Sequence, residues 1–96
     1  MKTLIISPRA ADDIDEIYDY TEARWGQDQA EDYIFGIWQA LQDVCRGTKK
    51  GRSIDHIRKG AMSLSFRSHY LIYQEKAASL ILIRILHQRM NIGRHL

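Results

Sequence analysis

Arginine and histidine, the side chains best suited to act on phosphate groups, are concentrated in the second half of this 96-residue chain. From Val44 onward, eleven lysines and arginines face two acidic residues, and all four histidines lie there. Histidine and tyrosine can transfer protons, and arginine can stabilise a charged phosphate transition state. The candidates for such chemistry are Arg67, His69, Tyr73, Arg84, His87 and Arg89. A histidine that follows an apolar strand run, as His87 does, is more often a hydrogen-bonded structural residue than a general base.

The acidic residues are concentrated in the first half of the chain. Up to Asp43, ten acids face three bases, a balance of −7, whereas the remainder has a balance of +9. Two regions of opposite potential steer association with charged partners and select among them. The charge pattern therefore predicts that the basic half binds an anionic target. The alternative is a solvated basic surface that only keeps the chain soluble.

Metal, nucleotide and thiol chemistry have little support in the sequence. The histidines His56, His69, His87 and His95 lack close ligand spacing and a companion cysteine or acid pair. The segment 47–51 contains glycines and lysines but lacks the spacing of a phosphate-binding loop. The lone Cys45 is interpreted as a small buried residue at the end of a helix. We therefore expect no metal, no cofactor and no redox role.

The length of the chain predicts a single domain over residues 1–96, because a chain this short buries only about 65% of its unfolded surface. The longest apolar run, 77–83, is far shorter than a membrane span requires. The apolar stretch after Lys2 is too short for a signal peptide of the usual form. These features predict a cytoplasmic protein without membrane contact.

Two helices follow a short strand predicted over 3–6. Ser7 and Pro8 are typical of a helix start, and Gly26 is predicted to end this first helix. Asp28 is predicted to cap the second helix, which a tight turn joins to the first as an antiparallel hairpin. The residues predicted to face inward are Ala10, Ala11, Ile14, Ile17, Tyr18, Thr21 and Trp25, then Ala30, Tyr33, Ile34, Ile37, Trp38, Leu41, Val44 and Cys45. The acids of the first helix, including Asp13, are predicted to be exposed.

After a basic loop over 47–53, the hydrophobic period changes to two and predicts three successive strands within 62–67, 69–73 and 80–86. The break near Ser68 is either a bulge or a tight hairpin. The third strand is apolar on both faces and is predicted to lie in the sheet centre, and Asn91 is a possible cap for a short C-terminal helical turn. The order β-α-α-β-β-β predicts an α+β fold with the helical hairpin on one face of a mostly antiparallel β-sheet and the other face free.

Several stretches of the chain resemble the ParE branch of the RelE/ParE toxin superfamily, the toxins of bacterial type II toxin–antitoxin modules. The matching stretches are 7–14 with Ile17, Tyr20 and 24–26 in the first helix, Gln29 and Ala30 in the second, 67–73 in the middle strands, and 85–90 at the close. One departure lies in the loop, where family members often carry a proline before the Gly51-Arg52 pair. The order and spacing of these stretches agree with the predicted architecture.

The resemblance implies a toxin that inhibits DNA gyrase by trapping it on cleaved DNA, which blocks replication and growth. It implies tight neutralisation by a cognate ParD-type antitoxin in a hetero-oligomeric complex, with operator DNA bound only through the antitoxin. Such a toxin catalyses no reaction of its own and is not an enzyme. The alternative is a ribosome-dependent mRNA endoribonuclease of the RelE kind, which would use the proton-transferring and cationic candidates named above.

Two sets of site residues follow from the basic half and from the aromatic residues of the helices. The set predicted to bind gyrase or its DNA is Arg67, His69, Arg84, His87, Arg89, Arg94 and His95. The set predicted to contact the antitoxin is Tyr18, Tyr20, Trp25, Phe35 and Trp38. Tyr20 and Phe35 fall off the inward stripes, whereas for Trp25 and Trp38 a position in the core is favoured over the interface.

Overall fold

The computed structural model describes all 96 residues and confirms the α+β class. Its elements are β1 (Thr3–Ile6), α1 (Pro8–Trp25), α2 (Gln27–Arg46), β2 (Arg52–Ser53), β3 (Ala61–Phe66), β4 (His69–Glu75), β5 (Ser79–His87) and α3 (Ile92–His95). The five strands form one sheet in the order β1-β5-β4-β3-β2, with β1 parallel to β5 and the other pairs antiparallel. None of the helices combines the length and apolar character needed to cross a membrane.

The helical hairpin begins as predicted but turns more tightly. The Ser7 hydroxyl accepts a hydrogen bond from the Ala10 N–H at 3.0 Å and donates one to the Ile83 carbonyl at 2.8 Å. One residue, Gly26 at φ 92°, separates the two helices and is the N-cap of α2. The predicted capping role of Asp28 is therefore wrong, because the chain is already helical at Gln27 and Asp28 lies in the first turn.

The main core lies between the hairpin and one face of the sheet. It combines Ile37 and Leu41 of α2 with Leu71, Tyr73 and Leu82 of the sheet. Cys45 is also buried there, as predicted, and burial raises the pKa of its thiol.

The inward stripe predicted for α1 is wrong at two exposed positions, Ala11 and Trp25. Asp13 of α1 contacts Ile85, which lies two residues before β5 ends at His87. From Asp13 to Trp25 the helix rises about 18 Å. The part of β5 from Ile85 to its end at His87 extends only about 7 Å. The last turns of α1 therefore pass beyond the sheet, and no strand lies beneath Trp25.

The second face of the sheet is not free, contrary to the prediction. Ile72 and Leu86 on this face are buried beneath Ile54, which precedes β3, and beneath Ile92 and Leu96 of the C-terminal tail. The tail is apolar at the two positions that meet the sheet, so it closes a second, smaller core. Asn91 is the N-cap of the last helical turn, although its side chain makes no capping hydrogen bond.

Strand placement differs from the prediction in three details. The strand β5 is paired on both sides, but the middle position of the sheet belongs to β4. The end of the predicted basic loop forms the edge strand β2, since Arg52 pairs with Ser63. The break near Ser68 is a two-residue turn with Arg67 at φ 48°, and the register shift lies instead between Ile72 and Tyr73.

Candidate functional site

The structure brings the residues predicted to bind the target together at one end of the sheet. We call this the histidine end: β4 begins there at His69 and β5 ends there at His87, and these two residues pair across the strands with ring centroids 5.2 Å apart. The turn at Arg67 joins this end because its carbonyl accepts a hydrogen bond from the Gln88 side chain at 2.8 Å. The tail joins it as well, since the His95 carbonyl accepts a hydrogen bond from Arg84 Nη1 at 3.3 Å.

A buried ion pair between Asp13 and Arg84 organises the histidine end. The Arg84 Nε and Nη2 groups donate to the Asp13 carboxylate at 2.8 and 3.2 Å, and the Ile85 backbone N–H donates to it at 2.9 Å. The Asp13 side chain is 4% exposed and that of Arg84 is 12% exposed. The prediction that Asp13 lies on the surface is wrong, because its partner is 71 residues away in sequence. Each nitrogen of the Arg84 guanidinium therefore donates a hydrogen bond within the fold.

The remaining arginines of the predicted set differ in whether their side chains already have partners within the fold. Arg67 lies 3.7 Å from the Asp32 carboxylate and stacks over the Tyr33 and Phe66 rings. Arg89 and Arg94 are exposed and have no acidic partner within 4.0 Å. These two arginines are therefore the members of the predicted set that are available to an anionic partner.

A small open cavity lies at this end. Its volume is about 150 Å³, and its lining combines acids, arginines and histidines, namely Arg9, Asp13, Glu16, Ile17, His69, Arg84, Ile85, His87, Met90 and His95. A volume of this size holds about five water molecules. Tyr73, proposed for the nuclease alternative, is fully buried, and its hydroxyl accepts a hydrogen bond from the Gly51 N–H at 2.7 Å. This tyrosine cannot reach a substrate, so that part of the alternative is wrong.

His69 is partly buried and hydrogen-bonded. Its Nδ1 lies 2.6 Å from the Tyr33 hydroxyl. Burial lowers the pKa of His69 below its ordinary value of 6.5, and the neighbouring His87 lowers it further, while Asp13 acts in the opposite direction. The folded chain therefore favours the neutral imidazole more than the unfolded chain does.

We expect acid to destabilise the fold through His69. Because the folded pKa is the lower one, the contribution of His69 to stability is present above about pH 6.5 and is lost as the pH falls through the folded pKa. Between about pH 7.5 and about pH 5.5, the wild-type chain should lose more unfolding free energy than the His69→Gln variant. Urea denaturation at several pH values measures this difference, and parallel pH profiles for the two chains would contradict it.

Four aromatic side chains of the hairpin are exposed to solvent. Trp25 is 63% exposed and Trp38 is 48% exposed, so the favoured position of both tryptophans in the core is wrong. Tyr20 and Phe35 are also exposed, and the Phe35 and Trp38 rings stack with centroids 6.0 Å apart. Tyr18 is half-buried. We call Phe35 and Trp38 the aromatic surface, since large exposed aromatic side chains in mutual contact are typical of a protein interface.

An apolar groove that the sequence analysis did not identify lies beside this aromatic surface. It has a volume of about 400 Å³ and runs between the hairpin and β1, lined by Leu4, Ile6, Ile14, Ile34, Ile37, Trp38, Leu41 and Gln42. Trp38 belongs to both the groove and the aromatic surface. The strand β1 is an edge of the sheet with exposed Ile5 and Ile6. Ile5 and Ile6 were the sequence signal that could have indicated the groove. An edge strand that is apolar on both faces is usually covered by another segment or by a partner.

Comparison with known proteins finds relatives along nearly the whole chain. A model described as "ParE toxin of type II toxin-antitoxin system, parDE" matches residues 4–92. The chain is 40% identical over 93 residues to Toxin ParE1 of Mycobacterium tuberculosis, covering 96% of this chain and 95% of the relative. It is 33% identical over 96 residues to Toxin ParE1 of Caulobacter vibrioides, covering 100% of this chain and 99% of the relative.

A solved structure has the same fold. The structure titled "Chromosomal ParDE TA system from P. aeruginosa" superposes with a TM-score of 0.75 at 22% identity and covers 91% of this chain and 96% of that one. This likeness concerns the fold, whereas the sequence matches extend over nearly the whole chain. The chain therefore belongs to the ParE toxin family of type II toxin–antitoxin systems.

Proposed function

We propose that this toxin binds DNA gyrase through its histidine end and halts replication without catalysing a reaction, and that a ParD-type antitoxin in the groove neutralises it. Family membership supports the target class. The observation that carries the proposal is the pair of exposed, unpaired arginines, Arg89 and Arg94, beside the predicted histidines. Such arginines form charge-assisted hydrogen bonds with carboxylates or phosphates. Because gyrase acts on the chromosome, the site of action is the cytoplasm.

Neutralisation is assigned to the groove and the aromatic surface. All but one of the side chains that line the groove are hydrophobic, and Trp38 and Phe35 extend its apolar rim. A partner that buries these side chains gains hydrophobic free energy, because their apolar surface is removed from water. Tyr18, Tyr20 and Trp25 extend this contact region along α1. The bound state is a toxin–antitoxin hetero-oligomer in which operator DNA is held by the antitoxin.

A binding role without chemistry agrees with the geometry of the histidine end. The buried Tyr73 and the Arg84 guanidinium held by Asp13 remove two candidates from any arrangement of acid, base and free cation around the small cavity. The nuclease alternative needs such an arrangement to take a 2′-hydroxyl proton and protonate the leaving oxygen. The geometry therefore favours inhibition by binding.

Substitution of the two free arginines tests the target surface. We expect the Arg89→Glu/Arg94→Glu variant to need at least about tenfold more protein to inhibit gyrase supercoiling, because it reverses both charges that meet the target. The matched control is Arg46→Glu/Lys49→Glu, which makes the same change in net charge at the opposite end of the sheet. Circular dichroism and antitoxin binding verify that each variant is folded.

Two results would contradict the proposal. One is undiminished gyrase inhibition by the folded Arg89→Glu/Arg94→Glu variant, which would exclude these arginines from the target surface. The other is a wild-type chain that leaves supercoiling unchanged and cuts transcripts at ribosomes in a translation extract, which would favour the nuclease.

A further inference from the structure

The structure divides the basic half of the chain between the two ends of the sheet. Opposite the histidine end, β4 finishes at Glu75 and β5 begins at Ser79. Five exposed cations lie at this end or along the adjoining edge strand β2, and none has an acidic partner within 4.0 Å. We call them the turn-end surface: Lys50, Arg52, Arg58, Lys59 and Lys76. This set shares no residue with the set predicted to bind the target.

Strand pairing places Arg52, Lys59 and Lys76 along neighbouring strands, with Arg58 next to Lys59 in sequence and Lys50 two residues before Arg52. Arg52 in β2 pairs with Ser63 of β3, and Ala61 at the start of β3 pairs with Gln74 of β4. The Gln74 side chain also packs against Gly60, where an added Cβ would lie 2.8 Å from Nε2. Lys59 is therefore next to the end of β4, and Lys76 follows that end directly. The surface spans neighbouring strands from β2 to the turn between β4 and β5.

The acids at the turn end are already engaged. The Asp55 carboxylate accepts a hydrogen bond from the Gly60 N–H at 2.7 Å, and Glu75 forms an ion pair with Lys2 at 2.7 Å. Asp43 lies within 4.0 Å of both Arg46 and Lys49. By contrast, acids of the hairpin engage Arg67 and Arg84 at the histidine end. The turn-end surface therefore holds more unpaired cations than the histidine end, where Arg9, Arg89 and Arg94 are unpaired.

Hydrogen bonds fix the backbone that carries these cations. The Gly51 N–H donates to the buried Tyr73 hydroxyl, and a Cβ at Gly51 would lie 2.6 Å from the Ser63 carbonyl, so the chain passes too close for any other residue. The Ile54 N–H donates to the Ala61 carbonyl at 2.9 Å, which closes the connection between β2 and β3. An ordered backbone reduces the entropy lost when the side chains bind.

We propose that the turn-end surface binds the phosphate backbone of duplex DNA without sequence preference. A duplex presents closely spaced phosphates to a set of unpaired lysines and arginines. The exposed aromatic residues all lie on the hairpin, whereas single strands are held by aromatic stacking. The two-residue edge strand and the short turns carry charges that can contact the phosphates of DNA. They provide no element that could enter a groove of the duplex and read the bases.

Direct binding by the purified toxin, with neither antitoxin nor gyrase present, tests this proposal. We expect a fluorescein-labelled 20-base-pair duplex to bind with a slope of log K against log salt concentration of about −4 to −5, since each neutralised phosphate contributes about −0.9. Affinity should then fall by several hundred-fold, roughly, between about 50 and 200 mM salt. Fluorescence anisotropy at several salt concentrations measures both quantities.

A matched pair of variants locates the surface. Arg58→Gln/Lys59→Gln should reduce the magnitude of the salt slope by about 2 and weaken binding at least about tenfold. Arg9→Gln/Arg24→Gln removes the same charge from exposed positions of α1, outside the turn-end surface, and should leave the slope unchanged. Circular dichroism verifies that both variants are folded.

Three outcomes would overturn the proposal. They are no duplex binding by the wild-type toxin at about 50 mM salt, equal loss of slope in the two variants, and tighter binding of a single strand of the same length. Because gyrase is absent from the assay, failure here leaves the proposed target untouched. Conversely, a toxin that binds duplex DNA as expected but leaves gyrase active would support the DNA-binding proposal and contradict the proposed target.

Discussion

Replacing Asp13 with alanine should lower the free energy of unfolding by about 3–5 kcal/mol, because it leaves the Arg84 guanidinium in a mostly buried position without its counter-charge. The substitution also removes the acceptor of the Ile85 N–H, which is buried beneath α1. Urea denaturation monitored by circular dichroism measures the change.

The matched control for this prediction is Asp15→Ala, which removes an exposed acid from the same helix. That change should alter stability by less than about 0.5 kcal/mol. A double-mutant cycle between Asp13→Ala and Arg84→Ala should give a coupling energy of about 1 kcal/mol or more, since the two side chains are in direct contact. A loss below about 1 kcal/mol for Asp13→Ala would show that the pair contributes little.

The ion pair also affects how mutants of the histidine end are interpreted. Arg84 is part of the predicted target surface, yet its guanidinium bonds Asp13 and the His95 carbonyl. An Arg84 variant would therefore lose toxicity through unfolding or displacement of the tail, even if Arg84 never touches the target. Arg89 and Arg94 separate these causes better, because they are exposed and unpaired.

Replacing Trp38 with alanine should weaken antitoxin binding by roughly 30-fold to 1,000-fold, the range that corresponds to about 2–4 kcal/mol for a central aromatic residue. Trp38 lines the apolar groove and stacks on Phe35, so its removal eliminates a wall of the groove and part of the adjoining surface. Isothermal titration calorimetry with the cognate antitoxin measures the affinity.

Trp25→Ala provides the control for Trp38. This tryptophan is even more exposed than Trp38 but does not line the groove, because it lies where α1 passes beyond the sheet. We expect Trp25→Ala to weaken binding by less than about tenfold, as a peripheral contact would. Equal effects of the two substitutions would place the antitoxin along the hairpin surface instead of in the groove, and no effect of Trp38→Ala would exclude the groove.

Local signals in the sequence predicted most of the elements. Ser7 and Pro8 start α1 because the hydroxyl satisfies a free N–H and proline tolerates the first helical position. Gly47, at φ 83°, follows the last residue of α2. Alternating hydrophobicity located β3, β4 and β5, and these elements together with the motifs spread along the chain were enough to predict the family.

Such local signals could not predict the two-residue strand β2 or the middle position of β4 in the sheet. A strand as short as β2 has no period to detect, and it exists only because Arg52 pairs with Ser63 of a later strand. The position of β4 depends on β1, which pairs with β5 across most of the chain and moves β5 away from the centre. Both features are set by pairing between distant segments.

By itself, therefore, the sequence determined the helices, the main strands, the family and the sorting of charge along the chain. Only the tertiary structure decided that Asp13 is buried, that Trp25 and Trp38 are exposed, and that the basic half is split between two ends of the sheet. The physical reason is the range of the interactions. Caps, turns and alternation act among neighbouring residues, whereas burial and ion pairing depend on which distant segments meet.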